Sequence, residues 1–308
     1  MTTTTTRRLL ISGATGKQGG ALIDALLSKP SQPFELYAIT RNKESKASKL
    51  LAKQNVNLVE GNLDNVDALF AQVPSPVWGV FSVPILDKGI KKEERQGKDL
   101  TRASVEAGVS HIIFTSTDRG GQEKSEDNPS DVPHFASKWR IEQDIKQAAA
   151  ASNGKLTYTF LRPVAFFTNL TNNFIGSAFI SMWRLNGLDR DLHMISTKDI
   201  GKVAAEAFLN ANDEQYRNSG ISLAGDALTP NDAARIFKEE TGQEIPSTYP
   251  WLAWIIRTLV PDLRHMFAWF GKTGFGTNVP EIRAQYPFMS DFRTWLREES
   301  DWRKNKAS

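Results

Sequence analysis

The chain has 308 residues, of which 40% are hydrophobic and 24% charged, and these values are typical of a globular protein with a substantial core. The net charge is only +3, so bulk electrostatics predict neither nucleic-acid binding nor membrane association. The sequence contains no cysteine, which excludes disulfides, thiolate metal sites and a cysteine nucleophile, and the four histidines lack metal-ligand spacing. We therefore expect no metal.

The start of the chain and its hydropathy predict neither a targeting segment nor a membrane span. Five threonines and two arginines follow Met1, which indicates a short disordered tail and not a signal peptide. No run of 18 apolar residues occurs, so we expect no transmembrane helix. A cytoplasmic protein is the expectation, and a nuclear location stays open.

The first predicted elements are an apolar strand, a glycine-rich turn and a helix that begins at residues 21–23. Gly13, Gly16 and Gly19 fall where such a turn needs residues without a Cβ: at the tight bend, under a pyrophosphate, and where the helix packs on the strand. The helix N-terminus then offers an anion site. The spacing is GxxGxxG and not GxGxxG, so the prediction of dinucleotide binding depends on this strand–turn–helix context. A purely structural turn is the alternative.

The second predicted strand, residues 34–40, ends in Arg41. NAD-selective sites usually place an acid here to bind the ribose 2′-hydroxyl. Arg41 instead offers a guanidinium that can bind a phosphate or stack on adenine, with Lys43 and Lys46 just beyond it. We therefore expect NADP(H) in preference to NAD(H). The alternative is that Arg41 is a solvated charge at the end of the strand.

Short β-rich runs alternate with longer helical runs to about residue 163, as βαβ units require. This predicts an α/β fold: a Rossmann-type parallel sheet with helices on both faces over residues 7–163, and a smaller, interleaved C-terminal lobe over residues 164–303. We expect Asp64 to cap a helix and residues 118–133 to form a mobile surface loop near the site. Residues 198–209 are predicted to return to the sheet as a helix.

The carboxyl ends of the strands are the expected site positions, because ligands of open parallel sheets bind there. Residues 61–64 are predicted near the adenine, with Asn62 and Leu63 as contacts. Ser82 and Val83 are predicted along the ribose and pyrophosphate. The later strand ends add three further candidates: Ser116, Pro163 and Phe166.

Beyond residue 163 the alternation decays into apolar stretches. Residues 251–260 are apolar at nearly every position except Arg257 and Thr258, yet the run is too short to span a bilayer. Together with Trp269 and Phe270 it predicts a helical lobe. Two interpretations stay open, namely the ordinary core of that lobe and a surface that contacts a partner or substrate.

The chemistry is expected after the fifth strand. Nicotinamide enzymes of this architecture usually protonate a carbonyl with a tyrosine that lies four residues before a lysine on one helix face. Here Lys138 is present, but His134 stands where the tyrosine would be. His134 can act as a general acid or base because its unperturbed pKa lies near neutrality. It can equally be a helix-start residue without a proton to deliver.

Several segments together resemble the NmrA-like group of atypical short-chain dehydrogenases. They are residues 13–20, Thr40-Arg41-Asn42, residues 95–98 and residues 134–138. The resemblance continues through residues 164–170, 197–201 and 292–296. It implies a Rossmann domain with a small C-terminal lobe and NADP(H) bound in the cleft. Besides Arg41, the residues for which it implies cofactor contacts are Gly13, Thr15, Gly16, Lys17, Gln18, Gly19, Lys98 and Lys138. The sequence departs from the family at Asn62, where an acidic residue is common.

Two functions follow from the resemblance. Many members of the group sense the ratio of NADPH to NADP⁺ and regulate a protein partner such as a transcription factor, which is the first hypothesis. Other members are reductases, and the alternative is an NADPH-dependent reductase of a small apolar carbonyl, quinone or imine. In that case Lys138 holds the ribose while His134 or Ser116 assists proton delivery. Direct nucleic-acid binding ranks last, since no basic patch with interleaved aromatics occurs. A homodimer stays open.

Overall fold

The computed structural model describes residues 6–84 and 89–302, so the predicted N-terminal tail lies largely outside the described residues. Within them the chain forms two compact units. The first unit consists of residues 6–84, 89–116, 137–161 and 200–221. The second unit consists of residues 117–136, 162–199 and 222–302. The chain therefore alternates between the two units along its length.

The strands of the described chain form two sheets. In chain order they are β1 (Arg7–Ile11), β2 (Phe34–Thr40), β3 (Asn57–Glu60), β4 (Gly79–Ser82), β5 (His111–Thr115), β6 (Thr157–Pro163), β7 (Ala165–Phe166), β8 (Leu192–Ile195), β9 (Ser219–Leu223) and β10 (Asp226–Leu228). The larger sheet has seven strands in the order β3-β2-β1-β4-β5-β6-β9. All neighbours from β3 to β6 pair in parallel. This confirms the predicted Rossmann-type α/β fold.

Helices make the connections between the parallel strands. In chain order the helices of the described residues are α1 (Lys17–Leu27), α2 (Lys46–Lys53), α3 (Val66–Phe70), α4 (Ile90–Glu106), α5 (Lys124–Asp127), α6 (Pro133–Ala151), α7 (Phe174–Arg184), α8 (Thr197–Leu209), α9 (Pro230–Thr241), α10 (Pro250–Leu259), α11 (Pro261–Lys272), α12 (Val279–Gln285) and α13 (Phe292–Glu298). The strand order reverses its direction of growth between β1 and β4, which is the topological switch point of the sheet.

The core of the first unit lies on both faces of β1. Leu9 and Leu10 point to opposite faces of a strand, and both are fully buried. Helix α8 returns to this unit as predicted, because a Cβ on Gly201 would lie only 2.5 Å from the Cβ of Ala21 on α1. The ring of Phe208, also on α8, packs 6.2 Å from the ring of Trp78.

Two predicted helix starts in the first unit differ from those observed. Helix α1 begins at Lys17, directly after the turn. The prediction that Asp64 caps a helix is wrong. Asn65 caps α3, since its side chain accepts the N–H of Ala68 at 3.2 Å. Asp64 is engaged elsewhere, as described below. Both residue types are favourable caps, so the sequence did not decide between neighbours.

The second unit is built from a small sheet and short helices. Its strands lie in the order β10-β8-β7, with β8 and β10 antiparallel and β7 and β8 parallel. Thr229 caps α9 by accepting the N–H of Asp232 at 3.0 Å, and Pro230 is the first helical residue. Residues 251–260 fall almost entirely within α10. Across the described part of the chain, every helix is too short or too polar to cross a lipid bilayer.

The prediction of a surface loop over residues 118–133 is wrong for its first part. Asp118 and Arg119 are fully buried, and α5 and the start of α6 lie within the stretch. The guanidinium of Arg119 donates to the backbone oxygens of Thr117 and Asn128, each at 2.8 Å. The donors to the Asp118 carboxylate, at 3.0–3.2 Å, are the amides of Gly120, Gly121 and Gly276 and the hydroxyl of Thr277. The stretch lacks periodicity because buried side chains hold its backbone.

Candidate cofactor site

The crevice of the first unit opens where β1 and β4 separate. Ser12 directly follows β1, and both its N–H and its hydroxyl donate to the backbone oxygen of Phe81 at 3.0 Å. Its Oγ also accepts the N–H of Val83 at 2.7 Å. This buried serine therefore joins the two strand ends that bound the crevice. Sequence reasoning did not assign it a role, although a small hydroxyl residue between a strand and a glycine turn was a usable signal.

The glycine turn has the geometry that its spacing predicts. Gly13 has a φ of +62°, which glycine adopts without the strain that a side chain would cause. The N–H of Gly16 donates to the Gly13 oxygen at 2.9 Å. Gly19 packs against the same group, because a Cβ there would lie 2.4 Å from the Gly13 oxygen. The turn therefore brings the start of α1 directly against the end of β1.

The start of α1 fits a bound anion. Gly16 is the N-cap, no side chain caps the helix, and no acidic residue lies in its first turn. The amide groups and the positive dipole end therefore favour a phosphate. The Oε1 atom of Gln18 is buried and makes no hydrogen bond to the described residues, so a bound group with a hydroxyl or amide donor would satisfy it. These features suit the pyrophosphate and ribose of a dinucleotide.

A cavity of about 290 Å³ lies at the carboxyl ends of the first four strands. Its lining includes these predicted cofactor contacts: Gly13, Thr15, Gly16, Arg41, Asn62, Leu63 and Val83. Gly61 and Asp64, from the segment predicted near the adenine, also line it. It further includes five residues that were not predicted as contacts: Ser12, Ile39, Thr40, Lys92 and Gln96. The structure therefore brings the glycine turn, the end of β2 and the loop after β3 to one cavity.

Arg41 extends from a backbone segment that hydroxyl groups hold in place. The Oγ1 of Thr40 and the Oγ of Ser48 lie 2.8 Å apart, and the Ser48 hydroxyl also donates to the backbone oxygen of Asn42 at 2.8 Å. The bend after β2 is therefore fastened to α2. Arg41 itself is exposed and lines the cavity, and a guanidinium can bind an anion through two parallel N–H groups.

Asp64 forms the opposite wall of the cavity together with α4. Its carboxylate accepts from the Nζ of Lys92 at 2.6 Å, from Arg95 at 2.9 Å and from Gln96 at 3.0 Å. The hydrogen bond from Lys92, followed by that from Gln96, lowers the pKa of Asp64 to about 2, so the group is ionised at neutral pH. Among the described residues, the lining of the cavity thus includes two cations, Arg41 and Lys92, and one anion, Asp64.

None of the four predicted lysine contacts, Lys17, Lys46, Lys98 and Lys138, lines this cavity. Lys98 lies on α4 and pairs with Glu94, with 2.8 Å between the charged atoms. Gln96 from the same motif faces the cavity instead, because residues two apart on a helix point to different sides. Lys46 is an exposed residue in the first turn of α2 and is likewise not part of the lining. Lys17 is exposed at the start of α1, and Ser82 is buried at the end of β4.

Lys138 has a partner that the sequence did not reveal. Its Nζ donates to Oε1 of Glu93 on α4 at 2.5 Å, and the hydroxyl of Ser137 donates to Oε2 of the same carboxylate at 2.6 Å. The Glu93 side chain is almost fully buried, and a buried carboxylate needs such donors. An ammonium has three N–H donors, so this ion pair still leaves Lys138 with donors for a ribose.

His134 has an acidic partner within the second unit. Its Nδ1 lies 2.8 Å from Oδ1 of Asp262 on α11, and the imidazole is largely buried. A carboxylate at this distance can accept the Nδ1 proton and orients the imidazole ring. The two residues are 128 positions apart, so no local spacing could have indicated Asp262. The pair is suited to general acid–base chemistry.

The remaining predicted residues lie at strand ends. Ser116 is buried after β5, and its N–H donates to the oxygen of Leu161 at 2.7 Å. Pro163 and Phe166 lie in the second unit, where the Pro163 oxygen accepts the N–H of Asp118 at 3.1 Å and Phe166 pairs with Ile195 of β8. Over residues 6–84 and 89–302, no group of three or more acidic residues and histidines could hold a metal ion.

Comparison with known proteins places this geometry in context. The model of the NmrA-like family matches residues 5–295, which confirms the resemblance seen in the sequence. The NmrA-like family domain-containing oxidoreductase FrzB of Cladobotryum sp is 25% identical over 306 residues, covering 89% of this chain and 86% of its own.

Two solved structures share the fold. NmrA, a negative transcriptional regulator solved in complex with NADP, superimposes with a TM-score of 0.71 at 18% identity and covers 96% of each chain. It has also been solved in complex with NAD. The triphenylmethane reductase of Citrobacter sp., solved with NADP(H), gives a TM-score of 0.70 at 18% identity, covering 94% of this chain and 99% of its own. A regulator and a reductase therefore share this architecture.

Proposed function

The chain belongs to the NmrA-like family, and we propose that it is an NADPH-dependent oxidoreductase that reduces a small apolar carbonyl, quinone or imine. The observation that carries cofactor binding is the cavity at the switch point, where the glycine turn and Arg41 line one space. The turn offers amides to a pyrophosphate, and the guanidinium offers a planar fork to a 2′-phosphate. The relatives solved with NADP(H) support the same cofactor class.

The proposed chemistry is hydride transfer with separate proton delivery. NADPH, when bound, supplies a hydride to the carbonyl carbon. The Nε2 proton of His134 goes to the carbonyl oxygen and gives the alcohol, and Asp262 stabilises the imidazolium before transfer. Lys138 donates to the nicotinamide ribose while Glu93 holds its side chain. This assignment favours the acid–base interpretation of His134, because the structure supplies the acidic partner.

A second candidate function is a sensor that regulates a protein partner according to the NADPH/NADP⁺ ratio. The observation that favours it is the engagement of Lys138 with a buried carboxylate together with the absence of the usual tyrosine. NmrA, a transcriptional regulator, shares the fold. Ligand binding shifts such a protein only when the two conformations differ in affinity for it. A homodimer stays open for either function.

Cofactor choice is tested by titrating the purified protein with NADPH and NADH, before and after Arg41→Ala. A charge-assisted contact contributes about 1.5–3 kcal/mol, so we expect NADPH affinity to fall roughly 10- to 100-fold. Affinity for NADH should change little because it lacks the 2′-phosphate. Lys46→Ala is the matched control, since this exposed cation lies outside the cavity lining. Equal binding of both cofactors by the unmodified protein would contradict the proposed selectivity.

Turnover is tested by NADPH oxidation against a panel of apolar carbonyls, quinones and imines. The enzyme hypothesis predicts that Lys138→Ala and His134→Gln reduce kcat while NADPH is still bound. Asp262→Asn should reduce kcat as well, because the amide carries no charge to stabilise the imidazolium. If NADPH binds normally and no substrate class is turned over, the sensor function replaces the enzyme.

A further inference from the structure

Helix α10 turns its bulky side chains outward. Trp251 and Trp254 are 62% and 60% exposed, whereas Ala253 between them is fully buried. Leu259 and Val260 at its end and Tyr249 before its start are also exposed. The helix therefore packs on its own unit through Ala253, with Leu252, Ile255 and Ile256 half-buried, and presents aromatic and aliphatic groups to solvent. Tyr249, Trp251, Trp254, Leu259 and Val260 together are called the aromatic face below.

This exposure decides between the two interpretations left open for residues 251–260. Residues of an ordinary core would lose most of their accessible surface, and tryptophan is rarely left open to water without a contact to make. The adjacent helix α7, which packs against α10, starts with two further exposed apolar residues, Phe174 and Ile175. Exposed apolar residues of the second unit therefore occur on α7 as well as on α10.

The polar groups of α10 have internal partners. The hydroxyl of Thr258 donates to the backbone oxygen of Trp254 at 2.7 Å, and the guanidinium of Arg257 donates to Oδ1 of Asn186 at 2.8 Å. Pro250 begins the helix, so its first position has no N–H to satisfy. A surface that enters an apolar environment must satisfy its polar groups internally. The aromatic face largely meets this condition.

The charge around the aromatic face selects the partner. Helices α7 and α10 contain no acidic residue, and residues 245–278 contain one acid, Asp262, against three cations. Asp262 is already engaged with His134. Two copies meeting through this face would bring the cations of each, Arg257, Arg264 and Lys272, towards one another. A negatively charged surface is the complementary partner.

We propose that the second unit docks through the aromatic face onto the surface of an anionic lipid bilayer. Tryptophan and tyrosine favour the boundary between headgroups and hydrocarbon, and nearby cations add attraction to anionic headgroups. Ten residues of helix cannot span the hydrocarbon layer, so α10 lies along the interface. The net charge of the whole chain is low and therefore did not indicate this local apolar and cationic surface. The proposal is independent of the proposed oxidoreductase function.

The test is co-sedimentation of the full chain with vesicles of phosphatidylcholine alone or with added phosphatidylserine. We expect binding to the anionic vesicles that weakens as salt is raised. The double variant Trp251→Gln/Trp254→Gln should bind at least tenfold more weakly, since it removes the two aromatic anchors. Leu50→Gln on α2 is the matched control, because it also removes an exposed apolar side chain but lies in the first unit.

The outcomes separate the possible partners of the face. Retained circular dichroism and NADPH affinity in the double variant show that the loss of binding is not a loss of fold. Absence of vesicle binding by the unmodified chain would overturn the proposal, as would equal binding by the double variant. A dimer in light scattering that the double variant converts to a monomer would assign the face to a second copy instead.

Discussion

The turn after β1 in the first unit and residues 118–121 in the second unit are held in place by different kinds of interaction. In the first unit the turn after β1 is shaped by backbone: Gly13 adopts a positive φ, and Gly19 lets α1 approach it. In the second unit residues 118–121 are held by the fully buried carboxylate of Asp118, which reaches Gly276 and Thr277. A turn that depends on backbone conformation can be recognised from the glycine spacing in one short stretch of sequence. A carboxylate that joins segments 158 positions apart has no such local sequence pattern.

This difference predicts that the second unit depends more strongly on a single side chain. Asp118→Ala removes the acceptor of three amides and of the Thr277 hydroxyl, and it leaves the buried Gly121 amide and that buried hydroxyl without this partner, so we expect the free energy of unfolding to fall by about 2–3 kcal/mol. Urea unfolding measures the change. Asp131→Ala is the control, because this exposed residue of the same segment should alter stability by no more than about 0.5 kcal/mol. If Asp118→Ala unfolds at the same urea concentration as the unmodified protein, this account of the second unit is contradicted.

The glycine turn provides the corresponding test of the first unit. Gly19→Ala places a Cβ 2.4 Å from the Gly13 oxygen, and backbone must move to accept it. We expect a loss of about 2 kcal/mol in the free energy of unfolding, together with a large loss of NADPH affinity because the start of α1 shifts. Gly20→Ala is the matched control. Its Cβ would lie 3.4 Å from the nearest atom, and alanine favours a helix, so stability should be kept or raised. Equal behaviour of the two variants would show that the close approach is unimportant.

The comparison also explains what the sequence could predict. Strand β2 has the predicted bounds, because an apolar β-rich run and the proline that precedes it are local signals. The cavity residues that directly follow strands, such as Arg41 and Asn62, were predicted for the same reason. Lys92 and Gln96 were not, because only the packing of α4 beside the loop after β3 brings them to the cavity.

The features that sequence reasoning missed depend on which face of an element is buried. An almost wholly apolar helix such as α10 has no polar side that marks solvent, so the outward position of Trp251 and Trp254 could not be inferred. The polar composition of residues 118–133 predicted exposure, yet Arg119 is fully buried because backbone oxygens satisfy its guanidinium. The sequence also did not predict contacts between residues that are far apart in the chain, such as the His134–Asp262 pair.

A pH-dependent contribution to stability is expected from the first unit. Burial, followed by the positive charge of Arg217, lowers the pKa of His111 to about 3, and the ring bonds to Thr157 and Thr159. Between about pH 6.5 and 3 the unfolded chain binds a proton that the folded chain does not. The stabilising contribution is thus complete above pH 6.5 and is lost as the pH falls through this window. We expect a loss of about 1.4 kcal/mol per pH unit at most.

Urea unfolding at pH 6.5 and pH 5 measures this effect. His111→Gln should lower stability at both values but flatten the difference between them, since it removes the titrating group. His265→Gln, at an exposed position of the second unit, should leave the difference unchanged. If His111→Gln keeps the full pH dependence of the free energy of unfolding, groups other than His111 cause that dependence.

The smallest expected effect concerns the charge balance within the cavity. Asp64→Asn removes a carboxylate that lines it and releases Lys92 from its ion pair, while the amide oxygen can still accept from Gln96. Since a 2′-phosphate is attracted by Arg41 and Lys92 and repelled by Asp64, we expect NADPH affinity to rise about two- to threefold and NADH affinity to stay constant. The gain should shrink in high salt because these groups are solvent-accessible. Asp67→Asn is the control, as this carboxylate pairs with Arg102 outside the cavity.

A fall in NADPH affinity on Asp64→Asn would mean that holding Lys92 in position outweighs the repulsion between Asp64 and the 2′-phosphate. The site of the first unit would then also depend on a side-chain contact between distant segments, as the second unit does.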